Sequence, residues 1–122
     1  METISSVVVA SGGAKSAFIR SEDLMTVGGR RPVVSLIMPA AFTGSVTTLK
    51  WYASLTGLPG SEFEVYDEDG EALTANVAVN LGIEIANERF YRWPYVMFEV
   101  TDGTSAVNQG AARTFQIMAV DL

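Results

Sequence analysis

The chain has 122 residues, of which 48% are hydrophobic and 18% charged, and its net charge is −6. That length fits one domain with a real core and is too short for two, and the composition excludes disorder over most of the chain. Only eight Lys and Arg are present, scattered along the sequence, so there is no basic footprint to displace phosphate counterions, and neither nucleic acid nor an anionic membrane surface is an expected partner.

Cysteine and histidine are both absent. The first absence removes disulfides, thiol nucleophiles and thiolate metal sites. The second removes Ser-His-Asp hydrolases, HExxH zinc enzymes and facial-triad iron enzymes. The opening METISSVVVASGG has no basic n-region, and its apolar run at 7–10 is too short for a signal sequence. No run approaches the length of a membrane-spanning helix. The expectation is a soluble protein made in the cytoplasm.

Periodicity is two almost throughout, the mark of half-buried strands. The β-branched run at 3–10 predicts a first strand, stopped by Ser11-Gly12-Gly13. Residues 1–6 are a candidate N-terminal arm. A short strand is expected at 15–20, then a loop at 21–30 turning at Gly28-Gly29. The nearly continuous apolar run at 31–38 predicts a central strand buried on both faces, ended by Pro39. At 46–55 the alternation places Thr47, Leu49, Trp51 and Ala53 on one face, with Thr48, Lys50, Tyr52 and Ser54 on the other.

Past the turn at 57–60, Phe63 and Val65 are expected inward and Glu62 and Glu64 outward. The acidic turn at 67–70 leads to strands at 73–79 and 81–85. Residues 86–93 read as irregular. A strand at 95–101, a polar loop to Gly110 and a last strand at 112–120 complete the chain, with Phe115 and Ile117 on one face and Met118 and Val120 on the other. Eight or nine short strands at roughly ten-residue spacing predict an all-β fold: one antiparallel β-sandwich domain, jelly-roll-like, with a seven-stranded Ig-like sandwich as the alternative.

Few residues suggest chemistry. The turn YDEDGE at 66–71 lacks the later acidic ligand of a calcium loop and reads as a solvated turn. Glu62 and Glu64 lie about 7 Å apart along one strand face, loosely a glycosidase spacing, but such alternation is ordinary for a half-exposed strand. The two Gly-Gly pairs belong to no phosphate-binding motif. The aromatic cluster RFYRWPY at 89–95 stands out. Arg89, Phe90, Tyr91, Arg92 and Trp93 are candidate interface residues, or stacking surfaces for sugar rings; the competing reading is a plug for one end of the core. No catalytic, cofactor-binding or metal-binding residue is expected.

The segments SLIMPAAFTGSVTTLKWYASLTG, FEVYDEDGEALT and RWPYVMFEVTDGTSAVNQGAARTFQIMAV carry a wider pattern. An apolar strand ends in Met-Pro before a small-residue turn with aromatic-Thr, and a Gly-Thr loop with Asn-Gln leads through a small-residue–Arg step into the last strand. This pattern, over most of residues 31–120, resembles a group of small β-sandwich structural proteins encoded among the virion genes of tailed bacteriophages. Phe42 stands where Trp is frequent in that group, and LTGLPG replaces a shorter Asp-Gly turn. The resemblance implies a non-enzymatic capsid decoration or cement protein on the virion exterior. It would bind the major capsid protein and stabilise the head as a homotrimer at three-fold lattice positions. Its alternative is a carbohydrate- or receptor-binding module of a head fibre or tail. Phe42, at the Met-Pro corner, joins the candidate interface residues.

Overall fold

A computed structural model of the chain describes residues 2–24, 32–85 and 91–120. Nine strands follow in order: β1 (Glu2–Val9), β2 (Ile19–Arg20), β3 (Val33–Ile37), β4 (Thr48–Ser54), β5 (Phe63–Glu64), β6 (Thr74–Asn76), β7 (Gly82–Ile85), β8 (Tyr95–Thr101) and β9 (Arg113–Val120). A single 3-10 turn occupies Ser21–Leu24.

The strands form two antiparallel sheets. The first has the order β1-β9-β3-β7; the second runs β2-β8-β4-β5, with β6 also paired to β4. β1 therefore lies beside β9, β2 beside β8, β3 beside β7, and β4 beside β5 and β6. This is one long hairpin rolled across two sheets, the jelly-roll arrangement. The strand order sets it apart from the Ig-like alternative. Residues 2–6, read above as a candidate arm, lie in β1 and pair with 116–120 of β9.

Alternation fills the space between the sheets. Val7 and Val9 of β1, Val34 and Leu36 of β3, and Phe115, Ile117 and Ala119 of β9 are buried from one side. Leu49, Trp51 and Ala53 of β4 meet them from the other, with Val96, Phe98 and Val100 of β8. Aromatic rings bridge the layers. Trp51 packs edge-on to Phe98 at 5.6 Å, and Phe98 to Phe115 at 4.7 Å. Each fully buried side chain of this size contributes about 1.5–3 kcal/mol relative to exposure.

Two expectations need correction. The segment 15–20 is a strand only at Ile19–Arg20. Before that it crosses between the sheets, with Ser16 bridging Val9 of the first and Lys15 bridging Glu99 of the second. More consequentially, β3 is buried on one face, not two. Val34 and Leu36 point inward, while Val33 and Ser35 are half-buried and Ile37 is exposed. The outer face of this sheet has no covering layer among the described residues, although its sequence is as apolar as that of a sandwiched strand.

Candidate interface surfaces

The exposed face of the first sheet follows from register. Ile4 faces Met118, which faces Ser35, which faces Glu84. The next row runs Ser6, Gln116, Ile37 and Gly82; Val8 faces Thr114, and Val33 faces Val120. Glu84 is the one charged side chain described on these rows. In a chain with 22 charged residues, eight basic and fourteen acidic, such a face is unusual, because solvated surfaces are typically a quarter or more charged. Ile4, Val8 and Ile37 are among the exposed large hydrophobic side chains.

The outer face of the second sheet is its opposite. Lys15 is 3.1 Å from Glu62 and sits 4.4 Å above the Tyr52 ring. Lys50 is 2.9 Å from Glu64, which also accepts the Tyr66 hydroxyl at 2.7 Å. The Tyr52 hydroxyl lies 3.4 Å from Glu99. Glu62 titrates below the ordinary carboxylate value because its own backbone N–H and then Lys15 favour the anion. Glu64 is lowered by Lys50 and then Tyr66. Each carboxylate that the sequence placed on this face is thus engaged by its own lysine and held ionised. Proton donation to a leaving group calls for the reverse shift.

The aromatic cluster divides. Tyr91 is only 5% exposed, with its hydroxyl 3.3 and 3.2 Å from the Leu24 and Pro32 carbonyls. It is a core residue, which corrects its placement on a binding surface. Trp93 is half-buried, packs against the core and meets Phe63 edge-on at 5.2 Å. Its carbonyl accepts the Ser21 hydroxyl, tying the 3-10 turn to this corner. Arg92 is exposed. Arg89 and Phe90 lie outside the described residues. Phe63, expected inward, is at the surface.

Trp93 and Arg92 line a groove of about 400 Å³ together with Val65, Tyr66, Asp67, Glu68 and Leu73. Asp67 is partly spent on the turn itself, since its Oδ1 accepts the Asp69 and Glu71 N–H groups. The groove therefore combines an aromatic wall with the Arg92 side chain and an acidic rim.

Phe42 is not an open rim. It is half-buried and packs on Phe115 at 5.9 Å. The residue beside it is held from an unexpected direction. Gln109, fully buried in a loop that reads as merely polar, accepts the Thr43 N–H at 2.7 Å through Oε1. It donates through Nε2 to the Thr43 and Val107 carbonyls. The sequence offered one signal, the Asn-Gln-Gly of this loop, and it did not distinguish a clamp from a solvated loop.

No family model matches the chain, and neither a curated protein nor a solved structure matches it. The surfaces themselves therefore carry the functional argument. Three kinds emerge: a sparsely charged face with exposed Ile4, Val8 and Ile37 on the first sheet, a self-neutralised ionic face on the second, and a small aromatic groove at the β5–β6 end.

Proposed function

We propose that the chain is a non-enzymatic structural protein of a tailed-bacteriophage virion, a decoration or cement protein that binds the major capsid protein on the head exterior. The observation that carries this reading is the outer face of the β1-β9-β3-β7 sheet, with its rows of Ile4, Met118, Val33 and Ile37 and a single described charge at Glu84. Contiguous uncovered apolar surface marks interaction sites. The strand-and-turn pattern of residues 31–120 supports the virion setting. The carboxylates at 62 and 64, engaged by lysines, favour a mechanical over a catalytic role. Bridging adjacent capsomers would add contact area where internal pressure separates them, and repetition over the shell supplies avidity.

The test is co-sedimentation with heads assembled from the major capsid protein encoded in the same genome. Wild-type protein is expected to saturate the heads and raise their disruption temperature. A variant carrying Ile37→Lys and Thr114→Lys, both at exposed positions of the face, is expected to stay folded and fail to bind. Wild-type protein that leaves the heads bare at saturating concentration overturns the reading.

A second reading, a glycan-binding module of a fibre or tail, is favoured by the groove at Trp93 and Tyr66, because aromatic faces bordered by acids and arginine suit sugar rings. Tyr91 has no part in it. Trp93→Ala and Tyr66→Ala, assayed on a glycan array, are expected to remove any signal while sparing head binding.

A further inference from the structure

A sheet edge is a template for another strand unless something blocks it. Three edge strands of this sandwich are blunted by length: β2 and β5 have two residues each and β6 has three. β7 has four and carries Glu84. β1 differs from all of them. It runs for eight residues in unbroken register with β9. From Thr3 to Val9 it contains no charged residue and no proline.

Its free backbone groups can be assigned. The Ala17 N–H donates to the Val8 carbonyl from the side away from β9. N–H and C=O groups of one residue point to the same side of a strand and alternate along it. The outward groups of β1 are therefore those of the even positions. At Val8 the edge is already occupied by the crossing segment. At Ile4 and Ser6 the outward N–H and C=O have no partner among the described residues. Beside Ser6 lies an open groove of about 340 Å³, lined in part by Ile117, Leu24, Arg20 and Asp23. Ile4 itself is 62% exposed.

We propose that a second copy of this chain fills the edge: two β1 strands pair antiparallel about a two-fold axis at Ile4, and the two four-stranded sheets become one continuous sheet. This follows from the edge alone and does not depend on the virion reading. The pairing is self-complementary. Ile4 opposes Ile4 of the partner copy, and each Ser6 opposes the other copy's Glu2, so each of these pairs exchanges two backbone hydrogen bonds. Glu2 never opposes Glu2. That matters for a chain of net charge −6, since like charges directly opposite are destabilising. A register shifted by two toward Val8 would meet the carbonyl already used by Ala17. The symmetry is the isologous two-fold of a strand pair. It takes the place of the three-fold grouping, which rested on how capsid lattices present sites and not on a feature of this chain.

The test is the solution mass of the full chain by light scattering over a concentration series, with two edge variants and one face variant. The expected wild-type mass rises toward twice the 13.1 kDa of the monomer. Ser6→Pro removes an outward N–H that the fold itself does not use, and Pro is tolerated on edge strands where the N–H faces solvent. Ile4→Lys places a charge at the axis and needs no backbone change. Each is expected to hold the mass at the monomer value, with folding verified by circular dichroism. Ile37→Lys with Thr114→Lys, away from the edge, is expected to dimerise normally while losing head binding, which separates this proposal from the previous one. A mass that stays monomeric at the highest concentration, a trimer mass, or a dimer unaffected by Ser6→Pro and Ile4→Lys overturns it.

Discussion

The Gln109 side chain treats Thr43 as a neighbouring strand would: its Oε1 accepts the Thr43 N–H at 2.7 Å and its Nε2 returns a bond to the Thr43 carbonyl at 3.2 Å. Around that pair the Gly110 N–H and the Arg113 guanidinium both reach the Thr43 hydroxyl. The Gly12 N–H bonds the Gln109 carbonyl at 2.7 Å. Three loops at one end of the sandwich are thereby joined through one residue.

Replacing Gln109 with Leu keeps the bulk and strands the Thr43 N–H and the Thr43 and Val107 carbonyls. Gln109 is fully buried, whereas Thr43 is exposed and Val107 half-buried, so three hydrogen bonds of about 1 kcal/mol net each are lost and the expected loss is about 2–3 kcal/mol in urea unfolding. Thr43→Val keeps the backbone pair and should cost roughly 1 kcal/mol. Equal losses for the two would show that the hydroxyl, not the amide clamp, carries the corner.

The turn at 57–60 offers a second contrast. Gly57 has φ +72, and a Cβ there would come within 2.7 Å of the Tyr95 ring. Gly60 has φ +79 with nothing within 4 Å. Gly60→Ala should cost about 1 kcal/mol, the left-handed strain alone. Gly57→Ala adds a steric clash and should cost about 2–4 kcal/mol. Thermal melts of the two variants distinguish the terms.

Stability should be flat across neutral pH. With no His and no Cys, no side chain has an ordinary pKa between the carboxylates and the phenols. The pKa values of Glu62, Glu64 and Asp102 are lowered in the fold, by the Glu62 backbone N–H and Lys15, by Lys50, and by the Ser105 and Thr104 N–H groups respectively. Their contribution is present above the unfolded carboxylate range and is lost as the pH falls through the folded values. On the alkaline side, Lys50 is raised by Glu64; burial pulls Lys15 down, but Glu62 outweighs it and the net shift is upward. Their contribution is lost as the pH rises through the folded lysine values. Tyr52, raised by burial, and Tyr66, raised by Glu64, resist ionisation in the fold and so weaken it above the unfolded phenol value. The melting temperature is expected to hold steady from about pH 5.5 to 9 and fall on both sides. A step centred near pH 7 would contradict this assignment.

Tyr91→Phe tests the core reading of the aromatic cluster. It removes a buried hydroxyl set between the Leu24 and Pro32 carbonyls and should destabilise by about 1–3 kcal/mol. Unchanged stability in guanidinium titration would return Tyr91 to the surface.

Much of this architecture is written in alternation. The run TFQIMAV at 114–120 already separates Phe115 and Ile117 from Met118 and Val120, and β8 occupies the expected 95–101. Alternation fails where both faces are apolar. In VVSLI of β3, no local signal tells an outward Val33 or Ile37 from one covered by a second layer. That distinction depends on where β9 and β7 bring their own side chains, and register is not encoded in either strand by itself. The exposed face became visible only when Ile4, Met118 and Ser35 were seen in one row. Tyr91 and Trp93 show the same limit. Two residues apart in sequence, they go to the core and to a groove because Ser21–Leu24 packs against that corner, a contact seventy positions away along the chain.

The placement of β9 between β1 and β3 also constrains how the chain is made. During synthesis β1 leaves the ribosome before either β3 or β9, with both of its edges open, and β3 follows without β9. The strand that joins them is made only once residues 113–120 have emerged. Until then the first sheet has no centre, and no N-terminal portion of the chain can assemble it. The uncharged run ISSVVV must wait for residues 113–120 before its partner exists, so in the cell the nascent chain, more than the finished fold, is what needs shielding from aggregation.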